Sequence, residues 1–145
     1  MQSSTLYLGG KRFSTQIGSH QILTDQPNES GGEDSAPTPP DLLLASLGAC
    51  AAHYAMEYLV ARSLPTEGLH VQVLADKTTR PIHLDNFRII VETTPLAAKQ
   101  LPGLQRAVEA CLIHRTLLAN PKVEIQLTAS HHELATRGVT ALAQT

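Results

Sequence analysis

The chain has 145 residues, 42% hydrophobic and 17% charged, which suits one compact domain burying roughly 70% of its unfolded surface and excludes a disordered or collagen-like chain. A formal net charge of -2, with 3% aromatics and no Trp, supplies neither the cationic field nor the stacking platforms that nucleic acid requires, so no nucleic-acid partner is expected. Behind Met1 there is no apolar run following a basic start, and the expectation is a cytoplasmic protein.

In chain order, residues 11–17 and 21–24 alternate in polarity on either side of Gly18-Ser19, which predicts an opening β-hairpin. Residues 25–37 carry Pro27, Asn28, Ser30, Gly31-Gly32, Glu33-Asp34, Ser35 and Pro37, a composition that supplies no core face and reads as a long exposed loop. Thr38-Pro39-Pro40-Asp41 then starts a helix: Thr38 caps, Pro39 suits the first helical position, and Asp41 favours the positive end of the dipole. The helix is predicted to run to about Ser63, before Pro65. Its stretch 42–60 approaches the length of a membrane span, but Ser46, Gly48, His53 and Glu57 interrupt it, so no membrane is expected. Apolar residues on every side of its first half predict a helix wrapped by sheet or by a partner.

Two period-2 runs follow at residues 69–73 and 87–92, separated by the polar stretch Asp76-Lys77-Thr78-Thr79-Arg80-Pro81. A second helical stretch begins near Pro95, with Leu101, Leu104, Val108, Cys111 and Leu112 at helical spacing and Pro102-Gly103 as a break or restart. Val123, Ile125 and Leu127 alternate with polar residues as a last strand, and the tail from His131 to Thr145 is uninformative. Strands that follow one another without intervening helices favour an antiparallel sheet with helices on one side, so the fold class is α+β, in a single domain spanning 1–145.

Two cysteines are too few for a disulfide framework and are either catalytic or buried packing. Cys50 lies deep in the long helix, beyond reach of the dipole unless Gly48 breaks it, so a thiolate there needs a cation. Cys111-Leu112-Ile113-His114-Arg115 places a thiol, an imidazole and a guanidinium within about one turn, although His114 and Arg115 also suit the end of a helix. His53 with Glu57, and His131-His132-Glu133, are incomplete metal-ligand sets and read as surface or structural groups. Two further functions stay open: a thioester hydrolase using Asp41 or His53 to activate water, and a non-enzymatic dimeric ligand-binding protein with both thiols as packing.

The segments from Gly31-Gly32 through Pro37-Thr38-Pro39-Pro40-Asp41-Leu42 to Gly48-Ala49-Cys50, and Cys111-Leu112-Ile113-His114-Arg115-Thr116-Leu117, resemble the OsmC/Ohr family of thiol peroxidases over residues 20–127. The resemblance implies an intertwined homodimer, each half an antiparallel sheet against a central helix, with Cys50 as peroxidatic and Cys111 as resolving thiol. It further implies a hydroperoxide substrate, an external dithiol reductant and no cofactor. Ohr-type members carry a glutamate ten residues before the first cysteine, where this chain has Pro40, with Asp41 one residue later. The family's arginine comes from the opening hairpin, and Arg12 is the only arginine before Cys50; Arg115 is the alternative cation beside Cys111. The proline often found after the second cysteine is Leu112 here, a pattern closest to the broader OsmC-like branch.

Overall fold

The structure, a computed structural model, describes residues 1–128. Glycine sets the first turns: Gly9, Gly10 and Gly18 all adopt positive φ, a region a Cβ disfavours. They connect β1 (Ser4–Gly9), β2 (Arg12–Ile17) and β3 (His20–Thr24) into one antiparallel sheet of order β1-β2-β3. The hairpin predicted around Gly18-Ser19 is present; β1 is an addition, and Gly9-Gly10 was its signal. Register places Tyr7 opposite Phe13, with ring centroids 5.6 Å apart, and puts Arg12, Ser14 and Leu23 on the other face.

The loop that follows contains one 3-10 turn, Asn28–Ser30, and then α1 (Pro39–Val60) begins at a complete capping box. The Asp41 backbone N–H donates to the Thr38 hydroxyl oxygen at 3.4 Å, while the Thr38 backbone N–H donates to the Asp41 carboxylate at 2.9 Å. The helix is continuous through Gly48 and ends at Val60, slightly before the predicted Ser63. Ser63 takes a positive φ there, and the Leu64 N–H returns to the Leu59 carbonyl at 3.0 Å. This chain buries chiefly Leu47, Ala51, Ala55, Tyr58 and Leu59 of α1. The expectation that the first half is surrounded is therefore not met within one chain: Leu43 and Ala45 remain exposed, and full burial starts only at Leu47.

The two later strands are longer than their apolar alternation suggested. In β4 (His70–Thr79) and β5 (Ile82–Glu92) the hairpin continues through the polar stretch and turns at Arg80-Pro81, with a register shift between Leu74 and Asp76. Cross-strand hydrogen bonding carries a ladder past the point where burial stops, which a hydrophobic pattern cannot register. After a 3-10 turn at Ala98–Gln100 come α2 (Leu101–Glu109) and α3 (Leu112–Leu118). Pro102-Gly103 marks a restart, lying in the first turn of α2, and a second break follows at Cys111. Gly103 is required because a Cβ there would overlap the Tyr58 ring, whose hydroxyl donates to the Gln100 carbonyl at 2.8 Å.

The core is Ala51, Ala55, Tyr58 and Leu59 of α1 against Leu104 and Val108 of α2, flanked by Val71, Ile89 and Val91 of the second sheet. The predicted strand at 123–127 is not formed: among the described residues it has no pairing neighbour, and Val123, Ile125 and Leu127 are exposed. An alternating pattern specifies which side of a strand would be buried, and the ladder itself needs a second strand. The tail beyond residue 128, with His131-His132-Glu133, lies outside the described residues.

Candidate functional site

The two cysteines meet where α1 crosses the α2–α3 break. Cys50 is half-buried in the middle of α1, and Cys111 is fully buried as the residue directly before α3. With α1 unbroken at Gly48, Cys50 lies about three turns from the helix start, beyond the first turn in which the dipole acts. Burial pushes the Cys111 thiol above its ordinary value, and the adjacent Cys50 thiol pushes it the same way; the backbone N–H groups of His114 and Ile113 oppose this in part. Cys111 is thus held as a neutral thiol at neutral pH, directly beside Cys50.

His114, three residues on, places Nδ1 3.0 Å from the Glu109 carbonyl oxygen, so that nitrogen carries the proton and donates. Arg115 is exposed in the last turn of α3, where a cation complements the dipole. Arg12 is exposed on the opening sheet, and its ion-pair partner among the described residues is Glu33, with Nη1 3.6 Å from the carboxylate. Asp41 is engaged elsewhere: the Thr38 hydroxyl donates to it at 2.6 Å and, with the Thr38 backbone N–H, holds its carboxyl below the usual range. The structure therefore brings Cys50 and Cys111 together, gives Asp41 a capping role and pairs Arg12 with a carboxylate that sequence reasoning passed over.

Glu33 was legible only as part of a polar loop. The loop is nevertheless tightly built around Asp25, a buried carboxylate that accepts from the Ser35 hydroxyl at 2.7 Å and from the backbone N–H groups of Gln26, Glu33 and Ser35. The Ser35 hydroxyl and those N–H groups outweigh burial and draw the Asp25 carboxyl down to about 2. His53 is exposed on α1, edge-on to Tyr54, and no cluster of three or more metal-ligating side chains occurs among the described residues.

A groove of about 970 Å³ runs between β5, α2 and α3, lined by Leu47, Ile89, Leu104, Val108 and Leu117. Neither thiol lines it, although Leu47, one turn before Cys50, and Glu109, two residues before Cys111, both do. Among the described helices, α1 is the one long and apolar enough to cross a membrane, yet it is the helix on which β4, β5, α2 and α3 pack.

Comparison with known structures places this arrangement. An osmotic stress induced and detoxification response protein from Psychrobacter arcticus 273-4 superposes with a TM-score of 0.72 at 21% identity, over 80% of this chain and 87% of that one. An OsmC like protein from Mycoplasma pneumoniae gives 0.67 at 18% identity, over 81% and 86%. The organic hydroperoxide resistance protein OhrB of Bacillus subtilis gives 0.57 at 18% identity, over 83% and 93%. No curated protein matches the sequence. At these identities the likeness establishes an OsmC-like fold of α+β class. The OsmC-like protein family itself matches residues 32–126, which take in the end of the loop, α1, the second sheet, both cysteines and α3. With well over half of its length matched, this chain belongs to the OsmC-like protein family.

Proposed function

We propose that the protein reduces hydroperoxides, organic ones in preference, through a peroxidatic Cys50 and a resolving Cys111, and that it works as a cytoplasmic homodimer. The observation that carries this reading is the meeting of the two thiols, one half-buried and one fully buried and protonated, in a fold shared with organic hydroperoxide resistance proteins. In the first step the Cys50 thiolate attacks the distal peroxide oxygen, the O–O bond breaks, and the alkoxide leaves with a proton as the alcohol. Cys50 is then a sulfenic acid. Cys111 loses its proton as its sulfur attacks the Cys50 sulfur, water departs, and a disulfide forms that an external dithiol reduces by two electrons. These steps use the thiols and the dithiol alone.

The thiolate needs a cation, and Arg12 is favoured over Arg115 because its guanidinium already sits in a defined pair. The sheet that carries it lies against α1 of its own chain far less than β4 does. That sheet exposes Leu6, Tyr7, Phe13 and Leu23, while α1 leaves its first half open. A second copy covering both surfaces accounts for the exposed apolar groups and brings an opening sheet to each Cys50.

The deciding experiment compares consumption of hydrogen peroxide and an alkyl hydroperoxide by the wild type, Cys50→Ser and Cys111→Ser, with a dithiol present. The expected result is faster turnover of the alkyl substrate, no activity in Cys50→Ser, and a single turnover ending in a trapped sulfenic acid in Cys111→Ser. A wild type that keeps both thiols reduced after stoichiometric peroxide, read by intact mass, rules the reading out.

A further inference from the structure

We propose that His53 is the catalytic residue that protonates the oxygen leaving from the hydroperoxide; this rests on the reading of Cys50 as the peroxidatic thiol. Cys50 lies at the boundary between two sides of α1. Leu47, Ala51 and Tyr58 are buried on the side where α2 packs, whereas Ser46, His53 and Glu57 are exposed on the other. At about 100° per residue, His53 and Tyr54 stand one turn beyond Cys50, about 60° to one side of it and about 40° to the other. Helical side chains lean toward the N-terminus, over the turn that precedes them, so both rings lean over Cys50.

The two rings meet edge to face, with centroids 5.7 Å apart and planes at 88°, which holds the imidazole against the phenol ring. Its polar atoms are uncommitted. His70, His83 and His114 each have a ring nitrogen in a hydrogen bond, with Glu92, with Thr78 and Pro81, and with Glu109 respectively. Among the described residues no hydrogen bond or ion pair engages His53, so both of its nitrogens are available to a molecule that reaches Cys50 from the open side.

In-line attack drives the leaving oxygen away from the sulfur, outward from α1 and past the imidazole. That oxygen departs as an alkoxide, a far stronger base than a thiolate, and a proton supplied as the O–O bond breaks lowers the barrier. The Cys50 sulfur takes the distal OH, the electron pair of the O–O bond goes to the leaving oxygen, and the His53 imidazolium gives that oxygen its proton and is reprotonated by solvent. An arginine cannot do this: a guanidinium keeps its charge at any relevant pH and steadies a thiolate without releasing a proton. Asp41 is committed to Thr38, and Nδ1 of His114 to the Glu109 carbonyl. Cys111 lies on the buried side, and its proton is released in the second step.

The test compares the rate at which Cys50 reacts in Cys111→Ser and in Cys111→Ser combined with His53→Gln. Three probes differ in what leaves: tert-butyl hydroperoxide releases a strongly basic alkoxide, peracetic acid a weakly basic acetate, and iodoacetamide an iodide that needs no proton and so reads the thiolate itself. His53→Gln should slow tert-butyl hydroperoxide by roughly 100-fold and leave peracetic acid and iodoacetamide at the parent rates. A parent rate with tert-butyl hydroperoxide overturns the proposal. So does an equal loss with all three probes, which marks a role in the thiolate or the fold, and so does a selective loss in Tyr54→Phe with none in His53→Gln. A parent that reacts with iodoacetamide and with neither peroxide removes the hydroperoxide reading together with the proposal. A parent that both peroxides oxidise, matched by His53→Gln throughout, removes the proposal alone.

Discussion

The two sheets of this chain are both antiparallel and are treated differently by the rest of the molecule. β4 and β5 lay Val71, Ile89 and Val91 against the α1 core, whereas β1, β2 and β3 keep Leu6, Tyr7, Leu8, Phe13, Ile17 and Leu23 exposed. Turn glycines and ladder hydrogen bonds make a sheet wherever the local sequence permits it. Its place in the tertiary structure depends on an apolar partner, and for the second sheet that partner is Ala51, Ala55 and Leu59 of the same chain. The first sheet has no such partner among the described residues, which is the strongest physical argument for the proposed second copy.

The largest effect expected from this contrast is at the core. Leu59 is fully buried between the helices, so Leu59→Ala should destabilise the fold by about 2–5 kcal/mol in denaturant unfolding, combining lost transfer energy with a cavity. Leu23→Ser on the first sheet should instead leave unfolding of the isolated chain nearly unchanged and raise the dissociation constant of the proposed dimer by about tenfold or more, read by sedimentation. If Leu23→Ser unfolds the chain as strongly as Leu59→Ala, the first sheet has a partner in its own chain and the comparison breaks.

The same contrast explains what was legible in the sequence. The start of α1 was readable to the residue because capping is local chemistry: Thr38, Pro39 and Asp41 act within one turn. The pairing of Cys50 with Cys111 rested on the family resemblance, since spacing within one helix says nothing about a crossing with another. The restart at Pro102-Gly103 was legible because α2 begins at Leu101 with proline in its first turn, whereas the second break, at Cys111, has no proline or glycine to mark it. Glu33 was missed for a comparable reason: a loop of Gly, Pro, Ser and acids carries no periodicity, and its order comes from Asp25 reaching residues eight and ten positions away.

That loop sharpens the comparison at its next level, between β3 and α1. The folded Asp25 carboxyl titrates at about 2 against 3.8 for a free one, so its contribution is fully present above pH 3.8 and is lost as pH falls toward 2. Acidification over that window should open residues 25–37 to proteolysis before the α1 core yields, as followed by limited pepsin cleavage. Asp25→Asn should show the same opening at neutral pH, with Gly32→Ala resembling it through the clash with Gln26. Simultaneous loss of loop and core would mean that the loop is not a separately held unit.

The smallest effect concerns the end of α1 that this chain leaves open. Thr38→Ala removes the side chain that accepts from Asp41 and donates back to it, a loss of about 1 kcal/mol for a typical cap. Because burial on α1 begins at Leu47 and strengthens toward Leu59, the first two turns have little besides the capping box to hold them in one chain. Fraying should therefore be confined to residues 39–46 and appear as faster amide exchange there, while exchange at Ala51 and Ala55 stays slow. In the proposed dimer a second copy covers the same turns and resists the fraying. The difference in exchange between wild type and Thr38→Ala should then shrink as protein concentration rises through the dissociation constant, and a difference independent of concentration would mean that nothing but the cap protects the start of the helix.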